Sequence, residues 1–309
     1  MDFDRLPNYP DEFVNPRSQV TSIGVEREIV RGVFAGADYV HQHWTNLDRS
    51  VDLNAPAPFD RTGVGQTRTV AAANATRPIV PVNGGVRSVN VLMNLGTADY
   101  DGLQTQISYR GSRRFLASVS YTLSKATNTT EPDGNGIGPN DANIARLGED
   151  ERGPSVVDQR HRAVIAFSYN LPYHLTAGTL TQLASARPFN ATTGIDNNGD
   201  GANNDRPVID GNVIAKSAFR GTGTQDVGLF VEGRVRTAGR TIVVRLEGFN
   251  VFNHGNILGR AQTTAYGDTP TVNPTFGQVV AVGTATNALP SLANIDPPRM
   301  VQLQVRFAF

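Results

Sequence analysis

The chain of 309 residues is long enough for one large or two ordinary domains, and its 28 basic and 28 acidic residues give a net charge of zero. This balance does not produce the basic surface that nucleic-acid binding requires, so we expect no nucleic-acid partner. Cysteine is absent, which excludes disulfides, thiolate metal sites and a cysteine nucleophile.

The N-terminal segment, MDFDRLPNYPDEFVNPR, is polar and acidic and lacks the apolar run of a secretory signal peptide. We therefore expect either that the protein stays inside the cell or that this sequence lacks its true beginning. The rest of the chain has no run of 18 apolar residues, so the sequence predicts no transmembrane helix.

Nine segments alternate apolar and polar residues with a period of two, which predicts β-strands. In one of them, Phe115, Val119 and Leu123 share one side while Ser118 and Thr122 share the other. The final segment, RMVQLQVRFAF, keeps this alternation to its last residue. The predicted strands cover residues 18–30, 33–46, 99–110, 114–127, 159–171, 175–189, 226–236, 241–253 and 299–309.

The predicted connections alternate between tight and very long, and the long ones cover about 47–98, 128–158, 190–225 and 254–298. Structureless loops beyond about 15 residues are uncommon in compact soluble domains. Long loops at every second connection of an antiparallel sheet all project from the same end. That asymmetry, with one apolar and one polar face, is typical of outer-membrane barrels. We predict an all-β protein, the antiparallel portion of a transmembrane β-barrel with apolar side chains facing lipid and a polar lumen.

One strand register follows from the short turn over residues 238–239. The turn pairs Thr237 with Arg240, which places Glu232 opposite Arg245 on the lumen face. We predict an ion pair between Glu232 and Arg245. The alternative is that both side chains are simply solvated, and the difference is worth about 0–1 kcal/mol.

The segment GIDNNGDGANNDRP suggests a calcium loop. Asp196, Asn198 and Asp200, followed by Gly201, match the opening D-x-N-x-D-G, in which alternate oxygens converge on the ion. Pro207 stands where the bidentate glutamate should be, so Asn204 and Asp205 would have to substitute. The alternative is a plain run of Asx and glycine turns. We expect no other cofactor.

His41 and His43 are a second candidate metal site, because they share one strand face. The sequence shows no third ligand near them. The alternative is a pair of histidines at the membrane interface or the base of a loop.

Six motifs in order resemble the C-terminal half of the barrel of TonB-dependent outer-membrane receptors, most closely the subgroup with an N-terminal carboxypeptidase-regulatory-like domain. The resemblance covers residues 18–309, so residues 1–17 become the end of an extracellular loop. Family members have a plug domain and 22 strands, and we expect the plug to be absent from this chain. The motifs are YDGLQTQISYR, VSYTLSKATN, DQRHRAVIAFSYNLP, ASARPFN with NDRP, RLEGFNVFNHGN and the final strand.

The resemblance implies an outer-membrane location, contact with lipid, and a receptor barrel for an unidentified extracellular ligand. It also implies that Phe307 and Phe309 form the signal read by the barrel assembly machinery. TonB would act only through the missing plug, so we expect that the chain alone is not an energised transporter.

Two alternatives remain. A secreted or surface β-sandwich with calcium-dependent loops would bind a ligand and stay soluble without detergent. A polysaccharide hydrolase would need two carboxylates about 5–10 Å apart, and the near pair on the lumen side, Glu232 and Glu247, looks partnered by arginine. We therefore predict that the protein is not an enzyme.

Overall fold

The computed structural model describes residues 14–82, 85, 87–112, 114–130, 152–237, 239–257, 265–278 and 298–308. Along these residues the chain is dominated by strands, and no helix among them is long and apolar enough to cross a membrane. The elements in chain order are β1 (Arg17–Val30), β2 (Val33–Asp52), α1 (Val70–Asn74), β3 (Asn90–Tyr109), β4 (Phe115–Asn128), β5 (Gly153–Pro154), β6 (His161–Leu171), β7 (Leu175–Ala184), β8 (Pro188–Phe189), β9 (Val208–Ile209), β10 (Asn212–Val213), β11 (Phe219–Arg220), β12 (Thr224–Thr237), β13 (Arg240–Phe249) and β14 (Met300–Ala308).

The long strands form one antiparallel sheet in the order β1-β2-β3-β4-β6-β7-β12-β13-β14, with β5 added beside β4. Each long strand therefore pairs with the next one along the chain. The remaining strands form two small pairs, β9 with β10 and β8 with β11, both in the connection between β7 and β12. The nine-strand all-β prediction is confirmed, and the described strands do not make the two packed sheets of a sandwich.

The strand boundaries differ from the prediction mainly in β2 and β3. Both strands run for 20 residues, so their connection shortens to residues 53–89. Irregularities between Trp44 and Arg49 shift the register, and Asn46 adopts a positive φ of 58°. Such bulges interrupt the period of two, so the alternation that marks a strand is lost at that point.

One face of the sheet is apolar and uncovered. Ile107, Val119 and Ile165 lie directly opposite one another on successive strands, and so do Val231, Leu246 and Leu303. Residues paired across antiparallel strands project to the same side. We call this side the apolar face; its exposed members include Ile23, Tyr39, Ile107, Val119, Phe167, Leu229, Leu246 and Leu303.

The buried core of the described residues lies at the long-loop end instead of behind the sheet. Val51, Leu53 and Met93 form it, where β2 and β3 enter their connection. A fully buried side chain of this size contributes about 1.5–3 kcal/mol. A whole sheet face of such side chains left in water would forgo more stabilisation than the 5–15 kcal/mol of net stability that a typical domain has. The fold therefore requires an apolar medium against the apolar face.

Candidate functional site

Three long connections meet at one end of the sheet and interlock. We call residues 53–89, 185–223 and 265–278 the loop assembly. The Arg68 amide donates to the carbonyl of Asn197 at 2.7 Å, and the Asn197 side-chain amide donates to the carbonyl of Gln66 at 3.1 Å. The same amide donates to Asp268 Oδ2 at 2.6 Å. These contacts make one structured surface from segments that are far apart in the sequence.

Arg77 ties the first connection to the second from a buried position. Its Nη1 contacts Asp52 Oδ2 at 3.2 Å and donates to the carbonyls of Asn54 at 2.7 Å and Arg87 at 2.8 Å. Its Nη2 reaches the carbonyl of Asp200 at 3.3 Å. One guanidinium therefore neutralises a buried carboxylate and satisfies backbone acceptors on both connections.

A second set of charges is buried beside Asp205. The Arg61 guanidinium donates to the carbonyl of Arg206 and lies 3.9 Å from Asp205 Oδ1, and both side chains are fully buried. Burial lowers the pKa of Arg61, while the carboxylates of Asp205 and Asp268 oppose that shift. Burial also raises the pKa of Asp205. The charges in this part of the loop assembly thus depend on each other for compensation.

An aromatic cluster joins the second connection to the third. Phe276 packs edge-on against Phe219 at 4.9 Å and against Tyr266 at 5.1 Å between ring centroids. Phe189 completes the cluster at 5.8 Å from Phe276. Such pairs stabilise by about 0.5–1.5 kcal/mol beyond the area they bury.

The proposed calcium segment lies inside the loop assembly. Asp196 Oδ1 accepts the amides of Gly199 and Asp200 at 2.7 and 3.1 Å, and its Oδ2 accepts the amide of Gly201 at 2.9 Å. Asp205 Oδ2 accepts the amides of Asn197 and Asn198 at 2.9 and 3.4 Å.

The amides of Asp200 and Ala202 also donate to Asn198 Oδ1 and Asp200 Oδ1, each at 2.8 Å and two residues apart, which are the Asx turns of the alternative interpretation. Burial raises the pKa of Asp200. Within the described ranges, no group of three or more His, Cys, Asp or Glu side chains is arranged to hold a metal ion. Calcium binding by Asp196, Asn198, Asp200 and Asp205 stays a prediction.

The polar side of the sheet carries an arginine and glutamate network. Thr237 pairs with Arg240 and Glu232 with Arg245, which is the predicted register. Arg245 Nη1 lies 3.8 Å from Glu232 Oε2. Closer contacts go elsewhere: Arg245 bonds both oxygens of Glu247 at 2.8 and 3.2 Å, and Arg234 bonds Glu232 at 2.9 Å. Glu232 and Glu247 are thus each held by an arginine two residues away on the same strand.

A cleft of about 480 Å³ opens at the long-loop end of the polar side. Its apolar lining includes Trp44, Leu47, Tyr100 and Val157. Trp44 is the single tryptophan of the chain. Sequence reasoning missed this cleft because strands β2, β3 and β4 and a distant loop contribute to it together, and the only signal was the lone tryptophan.

The C-terminal aromatic residues were predicted to be an assembly signal. Phe307 lies on the apolar face opposite Ile242 and is exposed. Phe309 lies outside the described residues. The role of both residues in assembly stays a prediction.

Comparisons with known proteins relate the chain to outer-membrane proteins. The family model for the outer membrane beta barrel domain matches residues 5–218. The outer membrane transporter YddB from Escherichia coli matches with a TM-score of 0.53 and 11% identity, over 82% of this chain and 31% of that chain. The FrpB iron transporter from Neisseria meningitidis (F3-3 variant) matches with a TM-score of 0.47 and 12% identity, over 97% of this chain and 32% of that chain.

No curated protein sequence matches this chain significantly. The chain spans about a third of the length of the two solved transporters. At these identities the likeness to YddB concerns the fold alone.

Proposed function

The chain belongs to the outer membrane β-barrel domain family, and on that basis we propose that it is the C-terminal barrel portion of a TonB-dependent receptor that takes up a ligand from outside the cell. The protein is located in the outer membrane. The observation that carries the proposal is the exposed apolar face, because a bilayer is the medium that such a face requires.

The loop assembly supports a receptor role. In an outer-membrane barrel the long connections lie outside the cell and the short turns lie in the periplasm. Three long connections are held together by buried side chains such as Arg77 and Asn197. A surface prepared in this way loses less conformational entropy when a ligand binds than three separate loops would.

The cleft beside Trp44 is the proposed point of ligand contact inside the barrel mouth. It offers apolar surface from Trp44, Leu47 and Tyr100, and Asp48 and Ser155 add polar groups to its lining. Clefts of this kind, mostly apolar with a few polar groups, are typical of small-molecule sites. Energy from TonB would reach the ligand through a plug domain, which we propose lies outside this chain.

We propose no catalytic role. Glu232 and Glu247, the carboxylates considered for hydrolysis, are each hydrogen-bonded to an arginine. YddB, which resembles the fold, is described as an outer membrane transporter. Membership of the carboxypeptidase-regulatory-like subgroup and recognition of Phe307 and Phe309 by the assembly machinery remain proposals.

Single cysteines test the orientation, since the chain has no cysteine of its own. Ala202→Cys places a thiol on the exposed part of the loop assembly, and Arg31→Cys places one in the exposed β1–β2 turn. A membrane-impermeant maleimide should label Ala202→Cys in intact cells and Arg31→Cys only after the outer membrane is permeabilised. Labelling of both in intact cells, or recovery of the protein in a soluble fraction, would contradict the proposal.

A further inference from the structure

Two histidine–aspartate pairs lie side by side on the face of the sheet that carries the apolar residues, beyond Tyr39 toward the long loops. His41 lies opposite Asp101 and His43 opposite Asp99 on neighbouring strands. His41 Nδ1 is 2.9 Å from Asp101 Oδ1, and His43 Nδ1 is 2.6 Å from Asp99 Oδ1. The same histidine–aspartate arrangement thus occurs twice, two residues apart along the same two strands.

Each carboxylate is held in place by a further donor. The Tyr39 hydroxyl donates to Asp101 Oδ1 at 2.6 Å. Arg152 donates to Asp99 Oδ2 through Nη1 and to Thr97 Oγ1 through Nη2 at 2.8 Å. The carboxylates on β3 that orient both imidazole rings are therefore themselves held, one by Tyr39 on β2 and the other by Arg152.

The outer nitrogens of the two rings are available. A neutral histidine that donates from Nδ1 to a carboxylate carries its lone pair on Nε2. Along the described residues, no hydrogen bond engages Nε2 of His41 or His43, and the side chains are 43% and 36% exposed. Residues two apart on a strand are about 7 Å apart and point the same way, so their rings can lean toward a common point.

We propose that His41 and His43 form a two-nitrogen site for a divalent transition-metal ion on the outer surface of the barrel, with Asp101 and Asp99 as positioning residues. Metal-binding histidines usually donate their second ring nitrogen to a carboxylate or carbonyl, as both rings do here. Since the described residues contain no group of three metal-binding acidic or histidine side chains, water would fill the other positions.

The surrounding charges indicate which ions the site favours. Asp99 is engaged by Arg152, and Lys125 lies directly opposite Asp101. The carboxylates are therefore already compensated and are not free to bind a hard cation. Imidazole nitrogen suits copper, zinc and nickel, whereas calcium and magnesium prefer oxygen. The site is independent of the proposed transport function.

Copper(II) is the sharpest probe, because it binds nitrogen ligands most strongly among the divalent first-row ions. Electron paramagnetic resonance of the membrane-embedded protein should show copper coordinated by two imidazole nitrogens. The variant His41→Gln/His43→Gln should lose this signal. The matched control His161→Gln/His174→Gln removes two histidines elsewhere and should keep it.

A graded test comes from the positioning residues. Asp99→Asn/Asp101→Asn should weaken copper binding by about 10–100-fold, the usual effect of losing such partners, while leaving two nitrogens in the spectrum. Unchanged copper coordination in His41→Gln/His43→Gln would overturn the proposal, as would a wild-type spectrum without nitrogen coordination. Equal protection of the loop assembly from protease in all variants would verify that the sheet is intact.

Discussion

Replacing Arg77 by alanine should loosen the 53–89 connection and its contact with the 196–201 segment. The Arg77 side chain is 1% exposed and that of its partner Asp52 is 9% exposed. Removing one partner of such a buried ion pair typically costs about 3–5 kcal/mol, because the other charge remains buried. Asp52 Oδ1 still accepts the amides of Asn54 and Val89 at 2.9 and 2.8 Å. We therefore expect the lower end, about 3 kcal/mol.

Amide hydrogen exchange of the membrane-embedded protein would measure this effect. Since about 1.4 kcal/mol corresponds to a factor of ten, exchange in both segments should accelerate by about 100-fold. Arg110→Ala, an exposed arginine at the opposite end of the sheet, should leave exchange unchanged. The double variant Asp52→Asn/Arg77→Met removes both charges and should recover much of the protection. Exchange in Arg77→Ala within about threefold of the wild type would refute the proposed role of Arg77 in holding the two connections together.

Three further tests address the sheet face, the pH dependence and calcium. Leu303→Arg on the apolar face should destabilise the membrane-embedded protein by about 2–4 kcal/mol in denaturant unfolding. Gln302→Arg on the polar side, where residue 302 lies opposite Glu247, should not destabilise it. Burial raises the pKa of Asp200. The protonated Asp200 side chain therefore contributes fully to loop stability below its unfolded pKa of about 4, and this contribution is lost as the pH rises through the folded pKa. Amide exchange protection of the loop should decline over the same pH range, and Asp200→Asn should abolish the decline. If calcium binds the Asp196 segment, added calcium should slow protease cleavage of that segment in the wild type but not in Asp196→Asn. Equal cleavage of the wild type with calcium and with a chelator would show that the segment forms Asx turns without binding calcium.

The strands were predictable because alternation is a local signal. In the final strand, every second residue from Val301 to Phe307 is apolar, and Gln302, Gln304 and Arg306 alternate with these residues. Strands predicted to be joined by only two residues can pair in one register, so the observed pairing of Thr237 with Arg240 followed from geometry.

The loop assembly was not predictable, because its contacts join residues that no periodicity relates. Arg68 and Asn197 meet across the first and second connections, and neither lies in a segment with a repeating pattern. The arginine network on the polar side was predicted only in part for a related reason. Cross-strand register identifies Glu232 as the neighbour of Arg245, but the rotamer of Arg245 turns it along its own strand to Glu247.

The two edge strands explain why the sheet must have further neighbours in the bilayer. Within the described residues, β1 pairs only with β2 and β14 only with β13. An unpaired backbone group in hydrocarbon costs several kcal/mol, so bare edges are not tolerated there. Successive antiparallel pairing over nine strands makes β1 and β14 run in the same direction, so they cannot close a regular antiparallel barrel on each other.

It follows that the 309-residue chain, refolded alone in detergent, should not give the compact, heat-modifiable band of a closed barrel on a denaturing gel. Strands of opposite direction, supplied by the rest of a larger barrel, would cover both edges and restore that band. A compact band from the chain alone would show that β1 and β14 meet after all, and would remove the reason for placing this sheet within a larger barrel.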